Sequence, residues 1–189
     1  MKKEQKEEGI TWIAAVNYNK NAKQKLLQEG VKWMHMNDID ILIIADTGRE
    51  AANMQKETLW CRHSDGQLQP STRWTATERI GIAWGREGWD DCYRADQRAV
   101  SPTGRSLSIS FRLNGARNLE IIRVYFPTTP LRNREDTERE YAWIAERVHN
   151  SRAAGHYIIM GGDWNMYPDE QQDRKSTHGI SQRHKDLAQ

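Results

Sequence analysis

Apolar residues fall in short separated runs along this chain, and each run has its own period. Ile41 to Ala45 are continuously apolar inside a strand expected over residues 39 to 45, the pattern of a strand covered on both faces. A first strand is expected over residues 10 to 16. Tyr157-Ile158-Ile159-Met160 supplies four apolar residues in a row, which predicts another buried strand. From Ser106 to Leu113 the period changes to two, with Leu107, Ile109 and Phe111 on one face. Asn114-Gly115 then turns the chain into a second strand, Leu119 to Tyr125, as a hairpin. Helical spacing shows in two places. Residues 21 to 35 offer Leu26, Leu27 and Trp33 to the core around Gly30, and residues 134 to 151 place Tyr141, Ile144, Ala145 and Val148 at i, i+3, i+4 and i+7 before a stop at Gly155. Residues 50 to 60 read as a short helix followed by the loop Ser64-Asp65-Gly66. The segments 79 to 84 and 91 to 100 read as paired strands joined through Glu87-Gly88. This order of elements predicts a two-layered α/β (α+β) sandwich with much antiparallel pairing.

Composition narrows the class without naming a function. At 189 residues the chain is long enough for one domain with a sizeable core, expected over residues 10 to 189 behind a charged tail at 1 to 9. Hydrophobic residues make up only 37%, yet eight Trp add large apolar area. A net charge of +2 is too small to argue for nucleic acid by itself; Arg132-Asn133-Arg134 and the polar tail could touch a phosphate backbone, and an ordinary solvated surface explains them as well. Two cysteines, Cys61 and Cys92, are too few for a disulfide framework or a zinc site. The N-terminal residues carry no apolar stretch of the signal-peptide kind, and no run approaches the roughly 20 apolar residues a membrane helix needs. The expectation is an intracellular protein, nuclear or cytoplasmic, that does not enter a membrane.

Candidate chemistry concentrates at one place. After Tyr157 to Met160 come Gly161, Gly162, Asp163, Trp164 and Asn165. The glycines allow a tight turn and a close approach, and Asp163 and Asn165 are spaced to share one side of an extended backbone. A carboxylate orients or deprotonates a water, and an amide donates to a phosphate oxygen, so the pair suits cleavage of a phosphoester. Gly, Asp and Asn are also common turn residues, and a plain strand-closing turn would use the same letters.

Four segments in order extend the reading. They are Ile13-Ala14-Ala15-Val16-Asn17, the run Asp38 to Thr47, Ile121 to Pro127, and Gly161-Gly162-Asp163-Trp164-Asn165. Together they resemble the endonuclease/exonuclease/phosphatase superfamily, the DNase I-like proteins, and most of all its retrotransposon-type endonuclease domains. In that family the first strand ends in an active-site Asn, the second in Gln-Glu-Thr or Thr-Glu-Thr, a later one in Tyr-x-Pro, and another in Gly-Asp-Phe-Asn. The resemblance implies a four-layered α/β sandwich and a divalent metal, Mg²⁺ or Mn²⁺, held near Asp46 and Asn17. It implies Asp163, Asn165, Tyr125 and Asn17 as the catalytic residues, with Tyr125 donating to the phosphate. Asp46 stands where the family has Glu, one methylene longer. The family's closing Ser-Asp-His has no counterpart before Gln189, and His178 and His184 lie in a polar tail of the wrong context. What the resemblance implies is therefore a fold with its C-terminal strands missing, exposed strand edges and an incomplete site. The activity it implies is a metal-dependent phosphodiester hydrolase, a DNA endonuclease or a truncated remnant of one. The alternatives are a phosphatase or lipid phosphodiesterase of the same fold, and an inactive nucleic-acid-binding fragment.

Overall fold

The computed structural model describes residues 11–17, 24–45, 57–62, 68–77, 79–85, 88–113, 117–127 and 134–165. In chain order the elements are β1 (Ile13–Asn17), α1 (Gln24–Met36), β2 (Ile41–Ala45), β3 (Glu57–Arg62), β4 (Leu68–Ala76), β5 (Ile80–Gly85), α2 (Trp89–Cys92), β6 (Tyr93–Val100), β7 (Ser106–Arg112), β8 (Asn118–Tyr125), α3 (Arg134–Ala153) and β9 (Tyr157–Asp163). The strands form two sheets, a five-stranded one in the order β1-β2-β5-β4-β3 and a four-stranded one in the order β6-β7-β8-β9. Each sheet contains one parallel pair, β1 with β2 and β8 with β9. A parallel pair needs a long crossover, and α1 and α3 supply the two.

Periodicity assigns the layers. Ile41, Ile43, Ile80, Ile82 and Trp84 of the first sheet meet Leu107, Ile109, Phe111, Leu119, Ile121 and Tyr125 of the second in one buried cluster between the sheets. The alternate residues of the first sheet, Leu42, Ile44, Trp74 and Ala83, pack under Val31 and Met34 of α1. Ile122 and Val124 of the second sheet, with Phe126, pack under Ile144 of α3. The result is four layers, helix on sheet on sheet on helix, as the resemblance implied and not the two that element order predicts, because the strands divide between two sheets that bury a face against each other. β2 is buried at every position, as its unbroken apolar run predicts.

Four further expectations change. Residues 57 to 60 belong to strand β3 rather than to a helix; 50 to 56 lie outside the described residues. The segments 79 to 84 and 91 to 100 do not pair with one another. β5 joins β2 and β4, whereas β6 crosses through α2 to the other sheet and pairs with β7. Aromatic packing drives this crossing: Trp84 stacks on Tyr93 at 4.6 Å, and Trp89 meets the edge of Phe111 at 5.1 Å. α3 turns a more polar face inward than its apolar spacing suggests. Thr137, Glu140, Ile144 and Ser151 are buried, while Tyr141 and Ala145 are exposed. The cause is the outer face of β7, where Ser106, Ser108 and Ser110 alternate with the core residues and are buried too. Glu140 accepts the Ser101 and Ser106 hydroxyls at 2.6 Å each, together with the Thr103 hydroxyl. Glu120 is paired with Arg147, whose Nε donates at 3.0 Å.

The fourth change concerns β9. Its apolar run predicts a buried strand, but β9 lies at the edge of its sheet, and Tyr157 and Met160 are 52% and 41% exposed. Apolar content drives the strand to form; position in the sheet decides how much of it is covered.

Candidate active site

The C-terminal ends of β1, β2, β8 and β9 meet at one rim of the sandwich. In register, Asn17 lies beside Ala45 and Tyr125 beside Asp163. Arg123 holds the rim together from inside. It sits alone among apolar neighbours on β8, is 2% exposed, and its guanidinium donates to the Ile44 carbonyl of β2 at 3.3 Å and the Gly161 carbonyl of β9 at 3.2 Å. A third donation goes to the carbonyl of Val124. Gly162 explains the second glycine of the motif. A Cβ there would land on the Val124 carbonyl and the Arg123 guanidinium, whereas at Gly161 it would make only ordinary contact with Ile43.

Asp163 is the hub of the rim. Its Oδ2 accepts from the Asn17 side-chain amide at 3.1 Å, a contact that joins the two sheets across 146 residues of sequence. Its Oδ1 accepts from the Asn165 backbone N–H at 3.1 Å, and its carbonyl accepts from Phe126 N–H at 2.9 Å. The bond from Asp163 to the amide two residues on is an Asx turn, which lets Asn165 adopt a left-handed backbone at φ 47°. Asp163 and Asn165 therefore do not share one side of an extended strand, as their spacing suggests. The strand ends at Asp163, and the Asn165 side chain turns back to donate to the Phe126 carbonyl at 2.6 Å.

The expected site residues thus separate. Asn17, Asp163 and Asn165 come together. Tyr125 is adjacent to Asp163 in register, is 4% exposed, and belongs to the buried cluster between the sheets. Asp46, the expected metal ligand, lies outside the described residues, as do His178 and His184. Among the described residues no three His, Cys, Asp or Glu side chains cluster as a metal site. The donor chemistry at the rim still suits a hard cation, because Mg²⁺ prefers oxygen ligands, keeps several waters and takes only one or two carboxylates. Asp163 brings a carboxylate to the rim, and Asn17 a side-chain amide.

Sequence reasoning missed Arg79 and Arg105, which also stand at this rim. Their guanidinium carbons lie 6.0 and 5.9 Å from the centroid of the Tyr125 ring. Both sit on polar turns, where nothing in the pattern separates them from solvated surface. Arg123 had a signal, a lone cation within an apolar strand run.

No family model matches the sequence, and no curated protein matches it. Solved structures do resemble it. The endonuclease domain of TRAS1, a telomere-specific non-LTR retrotransposon, is 14% identical with a TM-score of 0.44, over 81% of this chain and 59% of that one. TDP2 from Caenorhabditis elegans is 13% identical with a TM-score of 0.46, over 82% of this chain and 45% of that one. The human Nocturnin catalytic domain is 10% identical with a TM-score of 0.41, over 78% and 58%. These are DNase I-like folds. The likeness is one of fold. The chain spans about half the length of these proteins, 45% to 59% of each. Among the described residues no helix is long and apolar enough to cross a membrane.

Proposed function

We propose that this chain is a metal-dependent phosphodiester hydrolase that cuts DNA at the rim where Asn17 and Asp163 meet. The observation that carries the reading is the Asn17–Asp163 hydrogen bond, which brings two separate strand-end motifs into one site. A strand-closing turn alone has no need of an amide from the other sheet. Asp163 is the group that aligns or deprotonates the attacking water, and Asn17 fixes its carboxylate in place. Asn165 holds the Asp163 carboxylate from the opposite oxygen through its backbone N–H, so both oxygens are oriented before substrate arrives. Asp46 and Asn17 would hold Mg²⁺ or Mn²⁺, which would supply charge stabilisation at the phosphoryl and leaving oxygens.

A substrate panel tests the proposal. Supercoiled plasmid, an inositol polyphosphate and a sphingomyelin vesicle are each incubated with the protein in Mg²⁺ and in EDTA. Plasmid nicking in Mg²⁺ only is the expected result. Phosphate release from the inositol compound, or headgroup release from the vesicle, with plasmid untouched would reassign the substrate to the phosphatase or lipid branch. DNA binding without any cleavage would leave a binding module.

A further inference from the structure

Two turns bring positive charge to the same rim. Arg79 lies on the turn between β4 and β5, and Arg105 on the turn between β6 and β7. Thr77 on the first turn donates its hydroxyl to the Gly104 carbonyl on the second at 2.9 Å, which ties the turns together. The second turn is anchored again from below, where Glu140 accepts the hydroxyls of Ser101 and Ser106. Tyr125 donates its backbone N–H to the Arg105 carbonyl at 3.0 Å, so Arg105 is fixed one residue from the rim strand itself. Both guanidiniums thus gather around the ring next to Asp163 on a scaffold set before any ligand binds.

Arg112, Arg117 and Arg152 also have no ion-pair partner among the described residues, so these two arginines are set apart by standing at the rim without one. Arg73, Arg94, Arg134, Arg139 and Arg147 each pair with a carboxylate. Arg98 is held by the Thr75 hydroxyl and the Ala76 carbonyl, and Arg123 by carbonyls. Among the described residues neither Arg79 nor Arg105 has an ion-pair partner, and about 6 Å from a ring centroid is the outer limit of a cation–π contact. A guanidinium presents five N–H donors in a fork that matches the oxygens of a phosphate. We infer that Arg79 and Arg105 bind backbone phosphates of the DNA strand flanking the bond to be cut. This deepens the reading of the rim as a DNA-cleaving site and rests on it. Phosphate contacts of this kind set register on the duplex and carry no sequence information, so the pair positions the strand over Asp163 without choosing bases.

The test is the salt dependence of DNA binding. Fluorescence anisotropy of a labelled duplex oligonucleotide in EDTA, from 50 to 200 mM NaCl, is measured for the full chain and for Arg79→Gln, Arg105→Gln and the double variant. Each lost phosphate contact makes the slope of log affinity against log salt shallower by about 0.9, so the fall over this range shrinks about 3.5-fold per arginine. Arg79→Lys and Arg105→Lys keep the charge and the parent slope. Arg79→Met and Arg105→Met retain the stem over Tyr125 and replace any Gln variant that circular dichroism shows to be unfolded. Slopes equal to the parent's in folded Gln or Met variants would overturn the proposal, because arginines that merely cover a ring change no salt slope. Plasmid nicking by the same preparations separates the two readings. Nicking with unchanged slopes removes the arginine site alone. Shallower slopes without nicking remove the nuclease and leave the arginine site standing. A parent chain that binds no DNA removes the arginine site.

Discussion

Replacing Glu140 tests the polar layer under α3, on which the rim turn depends. Its carboxylate is fully buried and accepts three hydroxyls, from Ser101, Ser106 and Thr103. In Glu140→Ala the two buried serine hydroxyls lose their acceptor, at about 1–2 kcal/mol each, and a small cavity adds about 1 kcal/mol. Relief of carboxylate desolvation offsets part of this loss, so the net expectation is about 2–4 kcal/mol. Glu140→Gln keeps the shape and one acceptor oxygen. Its amide nitrogen can donate to a hydroxyl that has turned round, and the expected loss is only about 1 kcal/mol. Urea unfolding followed by tryptophan fluorescence gives both values from the midpoint at constant slope. For a chain of this length the Ala variant corresponds to a fall in Tm of roughly 4–16 °C. A loss below about 1 kcal/mol in Glu140→Ala, or equal losses in Ala and Gln, would refute the reasoning, because the hydroxyl bonds would then add nothing beyond packing.

Further outcomes follow from single residues. Gly162→Ala should cost about 1–3 kcal/mol through the clash with the Val124 carbonyl, while Gly161→Ala changes stability by less than about 1 kcal/mol; thermal melts of the two variants check the difference. Arg123→Leu should lose about 2–4 kcal/mol, since the Ile44 and Gly161 carbonyls lose their shared donor inside the rim, and chemical denaturation measures it. Asn17→Ala leaves folding intact because Asn17 is exposed at a strand end, but it removes the amide that orients Asp163. A hydrogen bond to a charged group is worth about 1.5–3 kcal/mol, so the cleavage rate should fall roughly 10- to 100-fold in single-turnover assays.

The elements that depend on local pattern were legible in the sequence, and those that depend on position in the fold were not. The alternation of Leu107, Ile109 and Phe111 marks a strand with one core face, and its hairpin with β8 is present in the structure. That alternation cannot show that Ser106 and Ser108 are buried as well, because their cover comes from a helix about thirty residues on. Glu87-Gly88 looks like a hairpin turn, yet β5 and β6 lie in different sheets, and the aromatic contacts that decide this are tertiary. At the site, the strand-end motifs pointed to Asn17 and Asp163 separately. Their hydrogen bond lies beyond any local signal. The spacing of Asp163 and Asn165 misled because the Asx turn reverses the chain between them. Arg79 and Arg105 were invisible because a turn arginine looks the same whether it meets solvent or a ligand.

The most direct measurement is the rate of Mg²⁺-dependent nicking of supercoiled plasmid by the purified chain, beside an EDTA control and the Asp163→Ala variant. The account predicts nicking that requires the metal and falls by at least about 100-fold in the variant, as expected for loss of a group that acts on the attacking water. Folded protein that does not nick, or nicking that persists undiminished in Asp163→Ala, would contradict it.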